Sequence, residues 1–167
     1  KAIISDKAEG TLPFMIIGTA GTTGTGAIDD LNALALIAER HSLFYHIDAA
    51  WGGAAVLNPD TRPWVSGNGK ADSVTFDVHK WLSVPMSASM FITRHRELLE
   101  KTFRLTADYM PKDAENLEIT DAFARSIQWS RRFIGLKLYL SMMVFGWEGY
   151  SEVIGHQVEM VNLLRSV

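Results

Sequence analysis

A chain of 167 residues is long enough for one domain, and 47% hydrophobic with 21% charged residues is the composition of a soluble globular protein. A net charge of -3 offers no basic stripe for nucleic acid, and the absence of cysteine excludes disulfides, thiolate metal sites and a cysteine nucleophile together. The most apolar stretch, residues 134–147, is interrupted by Lys137 and falls short of the ~20 residues of a membrane span. No charged-then-apolar leader opens the sequence, so the cytoplasm is the expected compartment. Both ends fall inside helical patterns and are read as cut from a longer chain.

In chain order, residues 1–10 read as the end of a helix, with Gly10 as its stop and Pro13 beyond it. Residues 14–18 are a continuous apolar run, as in a strand buried on both faces. A glycine- and threonine-rich loop follows at 19–26. Asp29 and Asp30 suit a helix N-terminus, and Leu31, Leu34, Ala35 and Ala38 share one face of a helix ending near His41. Residues 43–47 are the next strand, which completes a βαβ unit with an expected right-handed crossover. Asn58-Pro59-Asp60 opens a short helix towards Ser66, and 67–70 is a loop. Residues 73–76 form a third strand and 87–92 a fourth. The connection around Pro85 is too short for a helical crossover, so the fourth strand is expected antiparallel to the third. Residues 94–103 are helical, and 104–120 lack a period, as active-site lids do. Asp121 is expected to open the longest helix, through Ile127, Phe133, Leu136, Leu140 and Met143 to about Phe145. A break at 146–149 and a last amphipathic helix end the chain. The fold class is α/β, a mostly parallel sheet with one antiparallel strand, flanked by helices.

Two strand ends carry the chemistry: His46-Ile47-Asp48-Ala49-Ala50-Trp51-Gly52-Gly53 and Asp77-Val78-His79-Lys80-Trp81. Ligands bind at the carboxyl ends of parallel strands, so Asp48 and Lys80 can face one ligand. Each has an ordinary reading alone, Asp48 as a turn residue and Lys80 as a solvated surface lysine. The glycine loop reads G-x-x-G-x-G, not the G-x-G-x-x-G of dinucleotide sites, and no G-K-[ST] is present. A tight strand-to-helix turn is its simpler account. His46, Asp48, Asp77 and His79 could instead form a metal-dependent hydrolase site, although Lys80 would bring an ammonium up to the cation. Pyridoxal phosphate needs both an amine for its aldehyde and a carboxylate against its ring nitrogen, which Lys80 and Asp48 supply. Ala49, Ala50, Gly52 and Gly53 would keep the wall beside Asp48 low for a flat ring.

These two segments, with Gly21-Thr22-Thr23, Phe103-Arg104-Leu105 and Arg131-Arg132-Phe133, closely resemble the group II pyridoxal-phosphate-dependent amino acid decarboxylases, of aminotransferase fold type I. The resemblance implies decarboxylation of an L-amino acid to its amine and carbon dioxide, in a homodimer with the active site at the subunit interface. It implies that Lys80 bonds the cofactor and that Asp48 pairs with the pyridine nitrogen. Ala50 packs on one ring face, His79 lies near the phosphate, and Thr22 and Thr23 line the cofactor side. Tyr109, on the loop that closes over the site, becomes the proton donor to Cα. Arg131 and Arg132 are read as structural ion-pair residues in preference to substrate contacts. Residues 1–145 are expected to belong to the cofactor-binding large domain, with 146–167 starting the small domain or a linking helix. Asp77 stands where several relatives have asparagine, and Trp51 where the aromatic-amino-acid branch has tyrosine, so no particular substrate is assigned. None of the 5 histidines fits the family's ring-stacking position. The isolated segment is therefore expected to be inactive. An aminotransferase of the same fold, the metal-dependent hydrolase and an inactive fragment remain the alternatives.

Overall fold

The four runs expected to be strands pair side by side in one sheet, β1 (Met15–Thr19), β2 (Phe44–Asp48), β3 (Ser73–Phe76) and β4 (Met90–Thr93), in that order. The computed structural model describes residues 1–104 and 122–167. β1, β2 and β3 run parallel, and β4 returns antiparallel to β3, as the short connection around Pro85 requires. The helices are α1 (Ala2–Ala8), α2 (Leu31–His41), α3 (Arg96–Phe103) and α4 (Ile134–Arg165).

α2 starts at Asp30 because the aspartate side chain accepts a hydrogen bond from Ala33 N at 2.9 Å. It buries Leu31, Ala35 and Ala38, and the phenol of Tyr45 on β2 donates to Leu31 O at 2.9 Å. Burial pushes that phenol up to about 12, with Asp29 and Asp30 adding to the shift. Side chains alternate along β2: Tyr45 and Ile47 point into the core, and Phe44, His46 and Asp48 share the other face. On that second face Met15, Ile17 and Phe91 are exposed.

Several expected boundaries move, β1 and β2 by one residue each and the start of α3 to Arg96. Strand β4 begins at Met90 and not at residue 87, because the Ala88 backbone is taken by His79, whose N donates to Ala88 O at 3.2 Å. The short helix before Ser66 is a 3-10 turn, Arg62–Val65. The long helix begins at Ile134, after a 3-10 turn at Ala122–Arg125; Asp121 lies outside the described residues. Local hydrogen bonds compete with helix in between: Ser126 Oγ accepts from Gln128 N, and Arg131 donates to Ala122 O at 2.7 Å. The break expected at 146–149 is narrower: Gly146 alone departs from helical geometry, at φ 64° and ψ -174°, and the helix resumes beyond it. Its second half packs back on the 3-10 helix Gly52–Leu57, where Ile154 is fully buried and Asn58 Nδ2 donates to Ser151 O at 2.9 Å.

Candidate functional site

Asp48 is the last residue of β2, and both ladders continue past it. Ala20 N donates to Asp48 O at 2.8 Å, and Ala49 N donates to Thr75 O at 3.0 Å. The carboxylate is therefore held between the exits of β1 and β3. Its Oδ1 accepts from Ala50 N at 3.0 Å, which orients an otherwise exposed side chain. The chain then turns sharply against β1, with Gly52 N donating to Ala20 O at 3.1 Å. A Cβ on Gly52 would lie 2.2 Å from Ala20 O, and one on Gly53 would lie 2.6 Å from the Phe76 ring. This corrects the expectation that the two glycines keep a wall low for a flat ring. Both are buried, and protein atoms claim the space.

β3 leaves the sheet through a series of tight turns. Asp77 N donates to Ala50 O at 3.1 Å, Lys80 N to Asp77 O at 3.0 Å, and Ser83 N to Lys80 O at 3.1 Å. Ala50 thus joins the two strand ends, its N–H on the Asp48 carboxylate and its carbonyl on the Asp77 backbone. Trp81 anchors the turn: its ring stacks on Trp51 with centroids 4.5 Å apart and planes 10° apart, and its indole N–H donates to Gln157 Oε1 on α4. With Trp81 buried, the neighbouring Lys80 is exposed, at the edge of a cleft of about 720 Å³ that Trp51, Trp64, Gln157 and Arg165 also line.

Lys80 Nζ lies 2.9 Å from Asp77 Oδ2. Burial raises the Asp77 carboxyl, but hydrogen bonds from Ser89 and Lys80, with the charges of Lys80 and His79, outweigh it and hold the group below the ordinary aspartate range. His79 Nδ1 lies 2.9 Å from Ala88 O and 3.3 Å from Ala88 N, so the ring is fixed against the Ala88 backbone.

The other expected site residues are placed less directly. The Thr22 hydroxyl is engaged within its own loop, by Thr25 Oγ1 at 2.8 Å and by Ala27 N at 3.1 Å, while Thr23 is exposed. Tyr109 lies outside the described residues. Arg131 meets Ala122 O and Ser126 Oγ, a structural role made through neutral partners. The set His46, Asp48, Asp77 and His79 does not assemble. His46 holds Ser73 Oγ at 2.7 Å and Thr75 Oγ1 at 3.3 Å with its two ring nitrogens, and no metal-holding group of three or more acids and histidines occurs among the described residues. Sequence reasoning missed Ser89 and Gln157. Ser89 reaches Asp77 only because β4 folds back on β3, and Gln157 reaches Trp81 only because α4 bends, so neither carries a local signal.

An oriented carboxylate and an exposed amine at the ends of adjacent parallel strands fit a ligand with a basic ring nitrogen and an aldehyde. Residues 1–167 match the family described as "Pyridoxal-dependent decarboxylase conserved domain". The aromatic-L-amino-acid decarboxylase of Bacillus atrophaeus is 36% identical over 167 residues, which cover 99% of this chain and 35% of that protein. The aspartate 1-decarboxylase of Aliivibrio fischeri is 37% identical over 160 residues, 96% of this chain and 28% of that one. The crystal structure of mouse CSAD in apo form superposes with a TM-score of 0.88 at 32% identity, over 99% of this chain and 34% of that chain. The chain therefore spans about a third or less of the length of these relatives.

Proposed function

The chain belongs to the pyridoxal-dependent decarboxylase family, and from that premise we propose that the intact protein is a carboxy-lyase that converts an L-amino acid to its amine and carbon dioxide. The observation that carries this reading is the placement of Asp48 at the end of β2 and of Lys80 on the turn after β3, joined through the Ala50 and Asp77 backbones. Pyridoxal phosphate, when bound, supplies a sink for the electron pair left at Cα when the carboxylate departs. Asp48 would hold the proton on the pyridine nitrogen, Lys80 would supply the amine for the aldehyde carbon, and Ala50 would lie against one ring face. His79 would serve the phosphate end, and Thr22 and Thr23 would line the cofactor side. Tyr109 returns the proton to Cα.

Residues 1–145 are assigned to the cofactor-binding domain and 146–167 to the start of the small domain or a linking helix, a division supported by the interruption at Gly146. A homodimer with the active site at the subunit interface is supported by the apolar surface of α4, where Met143, Val144 and Phe145 are exposed; sedimentation of the intact protein as a monomer would contradict it. No helix among the described residues is long and apolar enough to cross a membrane. The cytoplasm is the compartment we assign, and cell fractionation checks it.

In the intact protein Lys80→Ala should abolish both the absorbance of the lysine-linked cofactor and release of carbon dioxide. Retention of both overturns the assignment, and a keto acid product in place of an amine identifies an aminotransferase. Tyr109→Phe should keep the cofactor and slow or divert the reaction; unchanged kinetics removes Tyr109 from it.

A further inference from the structure

We propose that Asp77 is a positioning residue for Lys80, clamping the lysine ammonium at the end of β3 and thereby slowing its release to the cofactor aldehyde. The inference rests on the reading of Lys80 given above. The pair is built into the backbone: Lys80 N donates to Asp77 O at 3.0 Å, so both side chains leave one turn together, and Nζ meets Oδ2 at 2.9 Å. Asp77 is the fixed partner. Its N–H is bonded to Ala50 O, Ser89 donates to its carboxylate, and only 14% of its side chain is exposed, against 37% for Lys80.

These contacts keep Asp77 anionic at neutral pH, so it restrains the ammonium and does not take its proton. When Lys80 is captured, Nζ bonds the aldehyde carbon, the aldehyde oxygen leaves as water, and the proton given up by the ammonium passes to solvent. Nζ must first leave Asp77. An asparagine at this position would keep the turn and the Ser89 contact while removing the charge that holds Nζ.

The test uses the intact protein stripped of cofactor with hydroxylamine. Acetic anhydride labelling read by mass spectrometry compares Lys80 with Lys70, a lysine outside the site. Asp77→Asn should accelerate labelling of Lys80 roughly two- to fivefold, the range of a partly exposed ion pair, and leave Lys70 unchanged. Asp77→Glu should restore slow labelling. Capture of pyridoxal and of pyridoxal phosphate, followed by absorbance, should rise by the same factor in Asp77→Asn. An unchanged Lys80 to Lys70 ratio overturns the proposal. So does acceleration with pyridoxal phosphate alone, which would mean that Asp77 acts on the phosphate charge and not on the lysine. Wild-type protein that captures neither aldehyde refutes the reading of Lys80 itself, whereas wild-type capture with no change in the variant refutes only the clamp.

Discussion

At Gly52 one methyl group would set two backbones against each other. The oxygen it would meet at 2.2 Å, Ala20 O, already accepts the Gly52 N–H, and Ala20 N is bonded to Asp48 O. That oxygen cannot swing aside without breaking the link between β1 and the turn that orients Asp48. Gly52→Ala is therefore expected to destabilise the protein by roughly 1–3 kcal/mol or more and to weaken cofactor retention, measured by urea denaturation and by cofactor absorbance after dialysis. Gly24→Ala is the control, since nothing lies within 4 Å of its Cβ and the same measurements should barely move. The chemistry of Asp48 and Lys80 was legible because one ends a strand-like run and the other lies on the short turn after the next. The reason for the glycines was not, because it depends on which carbonyl comes to lie beside them.

The loop bearing Lys80 is held by an element from the far end of the chain. The second half of α4 buries Ile154, places Ser151 on Asn58, and brings Gln157 to the Trp81 indole. Ile154→Ala should leave a cavity beneath the Gly52–Leu57 helix and cost about 2–5 kcal/mol, whereas Met160→Ala, at a site 46% exposed, should stay within about 0.5 kcal/mol. Denaturant midpoints of the two variants decide whether this half-helix is a structural support. Strand β3 falls on the four expected residues because its apolar run is bounded by turn residues on both sides. The start of α4 did not follow its pattern. Ile127 and Phe133 fit the helical period but are 82% and 76% exposed, since periodicity registers residue type and not whether a neighbour arrives to cover it.

Across the whole sheet, Asp72 is the point at which three strands are tied together. Its Oδ2 accepts from Tyr45 N on β2 at 2.8 Å, its Oδ1 meets His95 Nε2 at 2.7 Å, and its backbone carbonyl accepts from Thr93 Oγ1 on β4 at 2.9 Å. Burial raises this carboxyl, but the hydrogen bonds from Tyr45 and His95, with the charges of His95 and Arg94, bring it below the ordinary 3.8. A carboxyl lowered on folding binds protons more readily in the unfolded chain. Its stabilisation is therefore complete above 3.8 and is lost as pH falls through the lower folded value. Urea midpoints should accordingly fall steeply on acidification below 3.8, as Asp72 and the likewise lowered Asp77 are protonated. Asp72→Asn should be less stable at neutral pH and should lose part of that acid dependence, because asparagine keeps one acceptor for Tyr45 N but no charge for His95 and Arg94. Parallel acid curves for wild type and variant would mean that the sheet is held at this point by hydrogen bonds alone.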